Sequence, residues 1–182
     1  CPGVVNLLIS AGANVNAVAK DGNSVLVRAI RSQQIVIVKI LIDAKAKVNI
    51  KHQKGFVPLM FAVGDHQSVE IAKLLIEAKA NVHATSDDGC TALFWVQNNI
   101  ESAKLLLAAK AKVDLKCDFD GRTPLMSVGP DVVRLLIKAK ANINARDKYG
   151  RTALMRFLGG NQMENPDGFQ ESIEILKAAG AK

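Results

Sequence analysis

Ala78-Lys-Ala-Asn-Val-His83, followed after four residues by Asp88-Gly-Cys-Thr-Ala-Leu93, is the pair of tracts on which the architecture turns. Both recur. The first returns as Ala11-Gly-Ala-Asn-Val-Asn16, Ala44-Lys-Ala-Lys-Val-Asn49, Ala109-Lys-Ala-Lys-Val-Asp114 and Ala139-Lys-Ala-Asn-Ile-Asn144, with a partial copy at Ala179-Gly-Ala-Lys182. The second returns as Asp21-Gly-Asn-Ser-Val-Leu26, Lys54-Gly-Phe-Val-Pro-Leu59, Asp120-Gly-Arg-Thr-Pro-Leu125 and Tyr149-Gly-Arg-Thr-Ala-Leu154. The glycines of the second tract sit 33, 34, 32 and 29 residues apart. A fixed period of this size is the signature of a repeat array.

Two short helical patterns lie between the tracts. Pro58-Leu-Met-Phe-Ala-Val63 begins one, with Pro where a first-turn N–H has no partner anyway. A polar break at Gly64-Asp-His-Gln67 follows. Ser68-Val-Glu-Ile-Ala-Lys-Leu-Leu-Ile-Glu77 is the second, with Ser68 placed to cap it and a broad apolar face over 71–76. The stretch from Asn81 to Gly89 is too polar and punctuated for a helix and reads as a hairpin-like finger. A unit of helix, turn, helix and finger cannot bury its apolar face alone, so neighbours must stack.

These units resemble ankyrin repeats. The motif carrying the likeness is the helix start in Gly121-Arg-Thr-Pro-Leu-Met126 and Gly150-Arg-Thr-Ala-Leu-Met155. The second-helix runs Lys73-Leu-Leu-Ile76 and Arg134-Leu-Leu-Ile137 support it. The resemblance implies an all-α solenoid of helix-turn-helix units with finger hairpin loops, about five repeats plus partial ends. The expected domain is single, 1–182, with units near 1–17 (partial), 18–50, 51–84, 85–115, 116–145 and 146–182.

The copies depart from the family pattern in four ways. Gly normally stands between the two alanines; here Gly12 and Gly180 do, but Lys45, Lys79, Lys110 and Lys140 replace it elsewhere. A left-handed lysine costs about 1 kcal/mol, and a lysine at a helix C-terminus regains about 0.3–1 kcal/mol. Either the strain is accepted or the cap forms differently. Lys47 and Lys112 thicken the same edge. Val27, Met60, Phe94, Met126 and Met155 take the family's first-helix His place, which should enlarge the core between repeats. The fourth repeat has room only for a short first helix, and the last carries a loop-like insertion over 159–168. Finally, Cys1-Pro-Gly3 leads straight into a second helix, which suggests further chain towards the N-terminus.

The chain has 182 residues, hydrophobic 49% and charged 23%, which fits a folded domain and excludes a disordered tail. No apolar run approaches the roughly 20 residues of a membrane span. Three cysteines, Cys1, Cys90 and Cys117, match no metal spacing. A disulfide framework is not expected, and the cytoplasm or another reducing compartment is, with delivery into a host cell as an effector as a further setting. His52, His66 and His83 fall at unrelated repeat positions, so no zinc cluster is expected. No nucleophile elbow, phosphate loop or dinucleotide glycine pattern is present, so no catalytic site, cofactor or metal is expected, and the segment is read as no enzyme.

The resemblance places partner binding on the concave face, at finger tips and first helices. By register that face carries Arg28, Phe56, Phe61, Trp95, Phe119, Arg122, Tyr149, Arg151 and Arg156. Five of the chain's eight aromatic residues fall there. Interfaces favour Trp, Tyr and Arg, so the expected centre is Phe61 with Trp95, flanked by Arg28 and Arg156. Alternatively, Phe61 and Trp95 turn inward as filling. The expected function is non-catalytic protein–protein interaction by a monomer. The net charge of +7 favours acidic character in the protein or peptide bound. The alternatives are a nucleic-acid or anionic-surface binder using the lysine edge, with nucleic acid the less favoured ligand, and a regulatory or targeting segment of a larger enzyme or secreted effector.

Overall fold

The computed structural model describes residues 1–159 and 166–182. Its helices are α1 (Pro2–Ser10), α2 (Val25–Arg31), α3 (Ile35–Asp43), α4 (Pro58–Val63), α5 (Val69–Glu77), α6 (Ile100–Ala108), α7 (Pro130–Lys138), α8 (Ala153–Gly159) and α9 (Pro166–Ala178). Single 3-10 turns at Ala92–Phe94 and Pro124–Met126 stand where the third and fourth first helices would be. The short fourth first helix was expected; the short third was not. The expected loop over 159–168 lies mostly outside the described residues, but α9 already begins at Pro166.

The second helices stack in one continuous layer, in the order α1, α3, α5, α6, α7, α9. Each ends in the same way. In α3 the Lys45 amide donates to Ile42 O and the Ala46 amide to Leu41 O, both at 2.9 Å. This is the Schellman arrangement, which satisfies carbonyls the helix itself leaves open. It explains the Ala-x-Ala tract. The second alanine, Ala46, Ala80, Ala111 or Ala141, is buried under the helix end. The residue before it must be left-handed, and Lys45, Lys79, Lys110 and Lys140 have φ of 64°, 67°, 67° and 64°. The strain is therefore accepted at all four lysines.

A further bond joins successive tracts. The side chains of Asn16, Asn49, Asp114 and Asn144 accept from the amides of Lys47, Asn81, Asn142 and Lys182. In the third copy His83 holds that column, and among the described residues this bond is missing there.

The core runs unbroken between the layers. Leu41, Leu75, Leu106, Leu136 and Leu176, one in each second helix from α3 onward, are essentially sealed from water. Leu74 and Leu105 are only half-buried, so the centre of the buried face lies one residue later than the first leucine of each pair. In the first-helix His place, Val27, Met60, Phe94 and Met126 are buried as expected, whereas Met155 is exposed. Ser68 does not cap α5; its hydroxyl donates to Asp65 Oδ2 instead. Asp65 braces the turn before it, also accepting from the Gln67 amide and from Gln33 Nε2. The Gln67 amide bond, ahead of the opposing effect of burial, holds the Asp65 carboxyl below its ordinary value.

Candidate functional site: the fingers and the shortened first helices

Each finger closes on itself and then reaches for its neighbour. In the second finger the His52 amide donates to Phe56 O and the Gly55 amide to His52 O. The same pair of bonds closes the first, third and fifth fingers. The fourth finger spans one residue more, with Cys117 N donating to Arg122 O and Gly121 N to Cys117 O. Phe119 in this longer finger is 67% exposed. Between fingers, backbone amides of Asp87, Asp118 and Lys148 donate to Lys54 O, Asp88 O and Asp120 O. Gln53 Nε2 makes the first such link, to Asp21 O. The tip glycine is required twice over at Gly55: φ is +70°, and a Cβ there would stand 2.5 Å from the Asp87 amide nitrogen.

His52 supplies a brace that the sequence reading overlooked. It is buried, its Nδ1 lies 3.0 Å from Gly22 O, and its Nε2 lies 3.4 Å from Ser24 Oγ. Its column holds Ser86 and Asp147 in other fingers, both of which accept finger amides. A polar residue recurring there was the available signal.

The nine expected surface residues divide into two groups. In the first, Phe56 stands between Phe61 and Trp95, with ring centroids 5.4 and 4.8 Å away. All three rings are half-buried, so the inward and outward readings each hold in part. The hub is Phe56, not the Phe61–Trp95 pair. The flanking cation is Arg31, 6.0 Å from the Phe61 centroid. Arg28 instead pairs with Asp21 of its own finger at 2.8 Å. The indole Nε1 of Trp95 is buried without an acceptor among the described residues. Such a group costs about 1–3 kcal/mol.

The second group gathers on the fifth finger and the tip of the fourth. The Lys148 ammonium lies 4.8 Å from the Phe119 centroid and 5.1 Å from that of Tyr149. The Arg151 guanidinium lies 4.7 Å from the Tyr149 centroid. Beneath them Asp147 accepts from Arg151 Nε and Arg156 Nη1, both at 2.9 Å. Burial pushes this carboxyl up, but the Arg151 amide, the Arg156 and Arg151 guanidinium groups and the Tyr149 amide outweigh it and hold it at about 2. Arg156 is thus an anchor of the fifth finger rather than a flank of Trp95. Arg122 pairs with Asp120 and donates to Ser127 Oγ at 3.3 Å.

The pairing of the cysteines overturns the sequence expectation. Cys90 and Cys117 form a disulfide between the third and fourth fingers, with Cα atoms 4.4 Å apart. Both are buried, and they pack with Phe94 and Trp95 in a small cluster apart from the main core. Neither is a surface thiol; Cys1 is the exposed free cysteine. Spacing could not reveal the pair, because the two cysteines are 27 positions apart in sequence, in separate fingers that stacking brings together.

Where the first helices are cut short, a cleft of about 370 Å³ opens, lined in part by Gln97, Asn98, Met126, Ser127, Phe157 and Phe169. Asn98 in its wall is committed to Asp131, with Nδ2 and Oδ1 bonds of 3.2 and 3.1 Å. Among the described residues no three His, Cys, Asp or Glu side chains come together as a metal site.

A family model described as "Ankyrin repeats (3 copies)" matches residues 1–86, 59–147 and 96–161. The chain belongs to the ankyrin-repeat family. Ankyrin repeats are protein-interaction modules, and the family is generally non-catalytic. Similar proteins include human Rabankyrin-5, 29% identical over 157 residues that make up 82% of this chain and 13% of that protein. Protein glp-1 of Caenorhabditis elegans is 27% identical over 92% of this chain and 14% of its own length. A protein of Danio rerio named putative palmitoyltransferase ZDHHC13 is 37% identical over 46% of this chain and 13% of itself. The chain therefore spans about one-seventh of the length of these relatives. No helix among the described residues is long and apolar enough to cross a membrane.

Proposed function

We propose that this ankyrin-repeat segment is a non-catalytic binding module, acting as a monomer, whose concave face takes an acidic protein segment through the Phe56–Phe61–Trp95 patch. The observation that carries this reading is the three-ring cluster itself. It is contiguous, half exposed, and sits at the step from a full first helix, α4, to the shortened one at Ala92–Phe94. Aromatic side chains held in place by a rigid frame offer contact area at little ordering cost. The acidic preference rests on the cations near the rings, Arg31 beside Phe61 and Lys148 beside Phe119 and Tyr149, whereas Arg151 is paired with Asp147. Arg28, Arg122 and Arg156 hold fingers in shape through Asp21, Asp120 and Asp147. The Cys90–Cys117 bond removes the ground on which the sequence pointed to a reducing compartment.

Selection from a random 12-residue peptide library, at physiological salt, tests this. Winning peptides should combine Asp or Glu with an apolar anchor, and Phe56→Ala/Trp95→Ala should weaken them at least tenfold. Binders indifferent to that double variant would sink the patch.

A second reading uses the lysine edge. Lys45, Lys79, Lys110 and Lys140 are all exposed at equivalent helix ends, with Lys47 and Lys112 beside them. It calls for an anionic surface or nucleic acid, with affinity that falls steeply as salt rises. The long chains of the relatives leave a third setting, as the targeting segment of a larger enzyme or secreted effector.

A further inference from the structure

We propose that Cys90 and Cys117 are a reversible redox pair that gates the aromatic patch, the gating resting on the patch reading above. Three observations carry it. The pair joins two different repeats, the third and fourth fingers, across 27 residues. Its cluster shares Trp95 with the patch, and Trp95 is the ring nearest Phe56. The junction it spans is also irregular: both first helices are single 3-10 turns, the fourth finger has an extra residue, and His83 replaces the Asn or Asp that links tracts elsewhere.

Covalent sulfurs stand about 2 Å apart, whereas two thiols in contact need about 3.5 Å or more. Reduction must therefore part the fingers or turn the side chains, and Trp95 packs against the cluster that holds both cysteines. In a repeat stack each unit is held only by its neighbours, so the change stays local to this junction and falls on the patch. The reduced state has a place for its proton: Cys90 Sγ lies 3.8 Å from Asp88 O, an acceptor for the thiol.

The exchange partner is a small thiol such as glutathione. Its thiolate attacks Cys90, 7% exposed against 1% for Cys117, and Cys117 leaves as a thiolate that takes up a proton. A second glutathione thiolate attacks the mixed disulfide at the glutathione sulfur, releasing Cys90 as a thiolate that is protonated in turn. Two glutathiones are oxidised to one disulfide, and the protein gains two electrons and two protons. Oxidation by glutathione disulfide runs the same steps backwards.

The experiment uses the full chain carrying Cys1→Ser, equilibrated across reduced-to-oxidised glutathione ratios. Alkylation and intact mass count the thiols, and emission from Trp95, the chain's one tryptophan, is read in the same samples. The expected result is a two-thiol step and an emission change with a common midpoint, both absent in Cys90→Ala/Cys117→Ala that keeps its helical circular dichroism. A pair that never forms, never reduces while folded, or reduces with unchanged emission overturns the proposal. A library-selected peptide should then bind the two redox states with at least fivefold different Kd. Equal Kd for a peptide that needs Phe56 and Trp95 overturns the gating. A peptide that ignores those residues removes the patch reading and leaves the redox midpoint standing.

Discussion

The second helices and the first helices of this stack obey different rules. Five of the second helices, α1, α3, α5, α6 and α7, are nine residues long, and each closes with the same left-handed cap. The first helices run to seven and six residues, then collapse to two three-residue turns, then return to seven. The layer that repeats is the frame. The layer that varies, with the fingers that lead into it, carries the aromatic patch, the disulfide, the extra finger residue and the cleft. A stack tolerates that variation because each unit needs only its neighbours, and the second helices supply a neighbour at every step.

The sharpest way to break the contrast is to hollow the frame. Leu106→Ala or Leu75→Ala should cost about 2–5 kcal/mol in urea unfolding, because both side chains are fully buried. The adjacent Leu105→Ala and Leu74→Ala, half-buried, should cost about 1 kcal/mol. Equal losses at neighbouring positions would mean the register is misread.

Next comes the staple in the variable layer. Cys117→Ser should lower the stability of the oxidised chain by about 3.5 kcal/mol, the loop-closure effect for a bridge of this span. The gap should close once both proteins are reduced. A gap that persists under reductant would assign the loss to packing against Phe94 and Trp95 instead.

The fifth finger gives a pH test. Asp147 titrates at about 2 in the folded chain against an ordinary 3.8, so folding favours its ionised form. Its contribution, about 2 kcal/mol, is complete above the unfolded value and lost as pH falls from about 4 to 2. Asp147→Asn should lose that much at pH 7 and converge with the parent chain near pH 2. Parallel stability curves down to that pH would show that the arginines do not hold the carboxylate.

The smallest effect is expected at the caps. Lys79→Gly removes strain at φ 67° but adds backbone freedom to the unfolded chain and gives up a charge at the helix end. The outcome should lie between no change and about 1 kcal/mol of added stability. A clear loss would mean that the lysine side chain contributes more than its charge.

What could be read without coordinates followed from recurrence. The Ala-x-Ala tracts and the finger glycines mark local backbone geometry, and local geometry depends on residues close in sequence. Hence the helix pairs and the short fourth repeat were legible, while left-handed lysines were one of two readings that the structure decided. So was the set of aromatic residues on the finger and first-helix registers. Only stacking decided which of them touch. It put Phe56 between Phe61 and Trp95, brought Arg31 rather than Arg28 to the rings, and folded Arg156 onto Asp147. It also joined Cys90 to Cys117. The physical reason is one of distance. A turn is set within a few residues, whereas side-chain partnership across repeats joins residues about thirty apart in sequence and depends on how neighbouring units stack.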